Sequence, residues 1–404
     1  MLAYLKRAAA SGGTITRRAF AGLTLAASVG ALTACGPGMS PGPGFDTGQP
    51  PGGAIGTGSI KVALLLPLSA TGNAGTTAKA MQNAAELALS EVPSADIQLV
   101  PVDTKGTAEG ARAAAQAVVA SGVKLVIGPL FAAEVSAVAP IAKAARVPVL
   151  AFSSDANVAS QGVYLLSFLP ETDVDRMVSY AARQGKKSFA ALLPQTAYGS
   201  VVDAAMQQSA SANGARAVAI VRYDSGADAL KAAVGQLAGV AGGTNPQADA
   251  VLIPEGISVL PTLTAELANA RIDPRRVQLL GSGQWNDQQV WRLAGLNGGW
   301  FPGPDPAGWQ AFVGKYKGRY GVEPPRNATL SYDAVTLAAA LARIGGAAGF
   351  TDQTLTNPDG FSGVDGIFRF RPNGTNQRGL AILEIQGGTA RIRQPAPASF
   401  GAGG

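Results

Sequence analysis

The chemistry open to this chain is bounded by what it lacks: across 404 residues there is no histidine and a single cysteine, Cys35. No Ser-His-Asp or Cys-His relay and no histidine-ligated metal site can be assembled. The paired carboxylates Asp173 and Asp175 stand at the start of a helical pattern, where acidic residues favour the helix dipole. Residues two apart on a helix do not face each other, so the pair reads as a solvated first turn. The glycine loops at Gly72 and at Gly128-Pro129 lack the GxGxxG or GxxxxGK spacing that cradles nucleotide phosphates. No Ser-Lys spacing supports a hydrolase. The residues therefore read as those of a protein that is not an enzyme and holds no metal or cofactor. What the chain does offer is hydroxyls and small residues where apolar runs end. Ser69 follows Ile60 to Leu66, and Ser153-Ser154-Asp155 follows Val147 to Phe152. Such loops suit either a polar ligand or the cap of the next helix.

The elements that must position those loops follow a βαβ rhythm. Lys124 to Ile127 is an apolar run stopped by Gly128-Pro129, and a helical period follows with Val135, Val138, Ile141, Ala142 and Ala145 on one side. Val147 to Phe152 is the next β-branched run. Strands buried on both faces read as continuous apolar runs, which implies a parallel sheet flanked by helices, with ligands beyond the carboxyl ends of its strands. Before this unit come strands at Ile60 to Leu66 and Ile97 to Val102; after it comes Val163 to Phe168. At Pro170 the rhythm restarts, with strands at Phe189 to Leu193, Ala217 to Tyr223, Ala250 to Ile253 and Val277 to Leu280. The fold class is thus α/β, with two doubly wound parallel-sheet lobes. GGWFPGPDP, from Gly298 to Pro306, reads as a crossing. Helices return at Trp309 to Tyr320 and Thr329 to Ile344. The last third ends in alternation, Gly366 to Arg371, a Pro372-Asn373-Gly374 turn and Leu380 to Ile385, which predicts a hairpin.

With 47% hydrophobic and 14% charged residues the chain can bury two large cores. The formal charge of +6 is concentrated at the start: Lys6, Arg7, Arg17 and Arg18 precede Cys35 and no acidic residue does. Beyond them stand 28 basic against 26 acidic residues, a balance of +2. With no basic stripe, nucleic acid is not an expected partner. The basic start and the apolar segment from Ala19 to Ala34 read as a signal peptide rather than a membrane anchor. Thr16-Arg17-Arg18-Ala19-Phe20 looks like a twin-arginine signal, with the general secretory route as the alternative. Leu32-Thr33-Ala34-Cys35 resembles the bacterial lipoprotein box, which would make Cys35 the lipidation site, anchor the protein to a membrane facing the periplasm, and leave no cysteine for an intramolecular disulfide. Gly36, in place of Asp, favours sorting to an outer membrane. Residues 36–59 are dominated by Pro, Gly, Ser and Thr and read as a linker of roughly 25 to 30 Å average reach with no part in either core.

The ordered series IKVALLLPLSATG, KLVIGP with VAPIAKAARVPVL, TAYG after a strand, LSYDAVTLAAAL and GVDGIFRFRPNG resembles the type I periplasmic binding proteins. Within them it resembles the branched-chain amino-acid binding family, from residue 60 to about 388. GPLFAAEV, AFSSD and the export signals look more like the penicillin-binding protein activator lipoproteins. The resemblance implies two lobes joined by three crossings, near Leu169, Trp300 and Phe361. One lobe would be 60–168 with 304–360, the other 169–303 with 361–393, leaving 394–404 as a disordered tail. It implies a ligand carboxylate held by Ser153 and Ser154, with Ser69 on a neighbouring loop and Leu130 and Phe131 where those relatives carry hydroxyls. Tyr198 would line the cleft from the second lobe, with Gln284 and Trp285 on a loop beside it. Glu255 is the one carboxylate available for an ammonium. The implied function is capture of a small polar solute, an amino acid or a related compound, for uptake through an ABC permease. Two alternatives stand beside it: a module that contacts a peptidoglycan synthase, and a small-ligand sensor.

Overall fold

A computed structural model describes residues 53–401, and they form two α/β lobes. The first sheet holds β1 (Ile60–Leu66), β2 (Ile97–Asp103), β3 (Leu125–Ile127), β4 (Val149–Ala151) and β5 (Val163–Leu165), all parallel, in the order 2-1-3-4-5. Its two faces are covered because the intervening helices are built from alanine and valine stripes that let helix and strand approach closely. On one face α1 (Gly72–Ser90) supplies Ala78, Met81 and Ala85, joined by Ala334, Val335 and Ala338 from a helix that returns late in the chain. On the other, α2 (Ala108–Ala120) and α3 (Ala132–Ala144) supply Ala111, Ala115, Val135 and Val138.

The second sheet is built from β6 (Ser188–Pro194), β7 (Arg216–Tyr223), β8 (Ala250–Leu252), β9 (Gln278–Leu280) and β10 (Trp300–Gly303), all parallel. The antiparallel strands β14 (Ala381–Gln386) and β15 (Thr389–Gln394) complete one edge. Its helices are α4 (Pro170–Arg183), α5 (Ala197–Ala212), α6 (Ala227–Ala241) and α7 (Leu260–Asn269). The strand order changes direction between β1 and β3 in one sheet and between β6 and β8 in the other. Crevices for ligands open beyond the strand ends at such points.

After β10 the chain returns to the first lobe as α8 (Pro306–Tyr320) and α9 (Ala328–Gly345) and then forms a small antiparallel sheet of β11 (Phe361–Gly363), β12 (Gly366–Phe370) and β13 (Asn376–Arg378). The predicted hairpin is corrected here: β12 pairs with β13, whereas β14 leaves for the second sheet. The reason is packing. Phe368 and Phe370 are buried in the first lobe's core with Tyr164 and Leu166, while Ile382, Leu383 and Ile385 are buried in the second lobe's cores. Residues 361–378 accordingly belong with the first lobe, and the third crossing falls at Gly379-Leu380 instead of near Phe361. The first and third crossings are strapped together: Asn376 Nδ2 donates to the carbonyls of Leu165 and Ser167 at 2.7 and 2.8 Å, and Arg378 Nε donates to Ser167 O at 2.9 Å.

Two further sequence expectations change. Residues 53–59 are not free linker, because Ile55 forms a two-way bridge with Leu99 (2.9 Å each way) and Ser59 donates through N and Oγ to Asp96. At the other end, β15 extends the second sheet and the Phe400 ring lies 4.6 Å from the Arg369 guanidinium, so residues 394–401 pack back onto the fold. Cys35, the signal segment and the rest of the linker lie outside the described residues.

Candidate ligand-binding cleft

Between the lobes lies a cavity of about 290 Å³. Ser154 reaches it from the first lobe, and Tyr198, Ser282, Gly283, Gln284 and Asn286 reach it from the second. All three crossings contribute: Phe168 and Pro170; Pro302, Gly303 and Pro304; and Leu380. Asp173 and Arg326 bring one carboxyl and one guanidinium.

Tyr198 is placed by the turn that opens α5. The Thr196 hydroxyl accepts from Gly199 N–H at 3.2 Å, and any Cβ on Gly199 would overlap the Pro194 carbonyl oxygen. The TAYG sequence is therefore a geometric requirement at this strand end. The phenol donates to Pro254 O at 3.2 Å and lies 3.4 Å from Ser282 Oγ. Gln284 Nε2 shares the same carbonyl at 3.1 Å. Burial pushes the Tyr198 phenol above its ordinary pKa, so it stays a neutral donor and acceptor.

Of the residues singled out from the sequence, Ser154, Tyr198 and Gln284 share this cavity, and the others lie elsewhere. Ser69 is exposed, with its N–H on Asp103 Oδ1 at 3.1 Å. Ser153 is buried, its hydroxyl oxygen accepting from Asp155 N–H at 3.1 Å, and Asp155 in turn caps the short turn at Ala156–Val158. Leu130 packs against the first core and Phe131 is 38% exposed. The Phe131 N–H is held at 3.1 Å by Glu134, a buried carboxylate that also accepts from Thr104. Burial raises the Glu134 pKa, and hydrogen bonds from Thr104, Phe131 and Leu130 oppose that rise. Glu255 turns its carboxylate to the Tyr223 hydroxyl. Trp285 is fully buried in the second core, and Gly281 leaves room for its ring.

The cavity's charged residues were not found by sequence reasoning. Asp173, read as a solvated first-turn residue, is 8% exposed and accepts from Gly283 N–H at 3.0 Å. That pairing spans 110 positions, and the missing Cβ of Gly283 makes room for it. Burial pushes the Asp173 carboxyl up to about 7, against the pull of Gly283 N–H and Arg378. Arg326 precedes α9. Its guanidinium lies 4.5 Å from the Trp309 ring centroid and 5.6 Å from that of Phe168, and it forms an ion pair with the buried Asp365. Asp365 also accepts from Thr329 Oγ1 at 2.6 Å. Beneath the cavity, Arg378 is buried 4.4 Å from the Phe168 centroid, near Asp173, Asp333 and Asp365. For Asp173 and Arg378 the signal would have been charge inside segments that otherwise pack as core, whereas Arg326 stands in a turn that carries no such signal.

A small cavity between two lobes joined by three crossings, walled by apolar residues and by fixed polar groups, has the form of a binding site for a small molecule. The family model described as periplasmic binding protein matches residues 59–390. The chain belongs to that family. Solved structures agree on the fold. One from Rhodospirillum rubrum, provisionally described as a branched-chain amino acid ABC transporter, is 21% identical with a TM-score of 0.71, covering 82% of this chain and 99% of its own. The leucine binding protein LivK of Thermotoga maritima is 19% identical with a TM-score of 0.60, covering 83% and 97%. A solute binding protein of an ABC transporter from Rhodopseudomonas palustris, in complex with 3,4-dihydroxy benzoic acid, is 19% identical with a TM-score of 0.59, covering 83% and 96%. No curated protein sequence matches the chain. This periplasmic binding protein therefore has the family's two-lobed α/β fold.

Proposed function

We propose that this periplasmic binding protein captures a small polar solute between its lobes and presents it to an ABC-type permease, held to the membrane through a lipid on Cys35. The observation that carries the reading is a cavity lined at once by both lobes and all three crossings. A ligand there gains contacts from Ser154 and Tyr198 together, and only a closed arrangement supplies both, so binding favours closure. A volume of about 290 Å³ suits a solute the size of an amino acid or a benzoic acid. The solutes named for the Thermotoga and Rhodopseudomonas proteins, leucine and 3,4-dihydroxy benzoic acid, have that size and share a carboxylate.

The test is small-angle scattering with a saturating solute chosen from a calorimetric panel of amino acids and aromatic acids. A fall in radius of gyration supports capture by closure, and an unchanged radius with bound solute argues for a static scaffold. A second reading, a module that contacts a peptidoglycan synthase, is favoured by Phe131, whose large apolar ring stands 38% exposed outside the cavity. Loss of synthase co-purification in Phe131→Ser, with solute affinity unchanged, would put that reading first.

A further inference from the structure

Resting on the reading of the cleft as a solute site, we infer that Arg326 anchors the ligand through an anionic group, which makes the solute a small carboxylic acid held at the hinge. An anion in a cleft needs donors, and from the strand ends of the first lobe only the small hydroxyl residue Ser154 stands on the cavity wall. Glu134 holds Phe131 N–H and Asp103 holds Ser69 N–H. Leu130 and Phe131 add only hydrocarbon. Of the residues lining the cavity, Arg326 is the one cation.

Its guanidinium is oriented before any ligand arrives. Trp309 and Phe168 pack against it, Asp365 takes Nη2, and Nη1 is buried with no hydrogen-bond partner. A guanidinium fixed in this way keeps unpaired N–H capacity for one anionic oxygen, and little side-chain entropy remains to be lost on binding. The rest of the cavity fixes the remaining features of the ligand. Phe168, Pro170, Pro302, Pro304 and Leu380 take a compact apolar body. Asp173 faces it with a carboxyl able to accept from a ligand hydroxyl or ammonium.

The experiment is titration calorimetry with matched probes: 4-methylpentanoate and leucine, each against its own amide, and benzoate against benzamide, on wild type, Arg326→Gln and Arg326→Lys. At least one acid should bind wild type tenfold or more tighter than its amide. Arg326→Gln should erase that preference, and Arg326→Lys should restore only part of it. Circular dichroism melts show whether the variants fold. If they do not, wild-type crystals soaked with the acid that binds should show its carboxylate on Arg326. An amide that binds as well as its acid, a preference that survives Arg326→Gln, or a carboxylate seated elsewhere overturns the inference and leaves solute capture standing. If no probe binds and a wider solute panel also fails, both readings fall.

Discussion

Glu134 sits on Phe131 N–H at 3.1 Å, so the first lobe carries its own carboxylate at the loop end where a bound anion would otherwise find donors. The residue is fully buried and also takes the Thr104 hydroxyl. Replacing it leaves the buried Thr104 hydroxyl and the half-buried Phe131 N–H without partners. Glu134→Ala should therefore lower unfolding free energy by about 2 to 4 kcal/mol, since each orphaned buried group costs roughly 1 to 3 kcal/mol. Urea denaturation with an unchanged midpoint would contradict the role assigned to it.

Glu255 is the carboxylate that sequence comparison offered to a ligand ammonium. In the structure it is bonded to Tyr223 and absent from the cavity wall. Glu255→Gln should leave the affinity of any cleft solute within about twofold, because Glu255 is bonded to Tyr223 and does not line the cavity. A tenfold loss by calorimetry would show that Glu255 swings into the cleft.

The hinge carboxyls give stability a pH dependence. Burial raises Asp173 to about 7 from an ordinary 3.8, and burial together with the neighbouring Asp365 charge raises Asp333 as well. A folded-state pKa above the unfolded one means the folded chain binds more protons in the window between them, so stability falls as pH rises through it. Between pH 5 and 8 the melting temperature should decline, and Asp333→Asn should flatten that slope. Carboxylates with lowered pKa act in the opposite direction and only in acid. Asp249 is one, its burial outweighed by hydrogen bonds from Lys187 and Ser188. A melting temperature that climbs from pH 5 to 8 would refute this assignment.

The N-terminal arm separates anchor from fold. Cys35→Ala should move the protein from the membrane fraction to the soluble one without changing its melting temperature. A chain starting at residue 53 should be as stable as the mature protein, whereas one starting at residue 60 loses the Ile55 bridge and the Ser59 pairing with Asp96. That second truncation should cost about 1 to 3 kcal/mol by chemical denaturation, since each net hydrogen bond contributes roughly 0.5 to 1.5 kcal/mol. Equal stability of the two truncations would return residues 53–59 to the linker.

Much of this fold was legible because local pattern and tertiary role agree. The runs Ile60 to Leu66 and Phe189 to Leu193 are continuous and apolar because both faces of each strand are covered, and each became a central parallel strand. Tyr198 was legible because its turn needs Thr196 and Gly199 on either side. Where the reading failed, the deciding partner lay far along the chain. Asp173 has the local look of a solvated first turn, and only Gly283 explains its burial. The late hairpin failed because strand alternation cannot say which sheet a strand joins, and Phe368 and Ile382 pack in different cores. Arg326 and Arg378 are paired through Asp365, Phe168 and the crossings, none of which a window of sequence contains.

Solute capture between the lobes is tested most directly by a thermal-shift screen of wild type beside Ser154→Trp, which fills the cavity from an exposed position on the first lobe. A solute at about 100 times its dissociation constant stabilises by about 2.7 kcal/mol, a rise of roughly 4 °C for a chain of this size. At least one small carboxylic acid should produce such a rise in wild type and none in Ser154→Trp. No rise with any solute, or the same rise in both proteins, would contradict a binding site in the cleft.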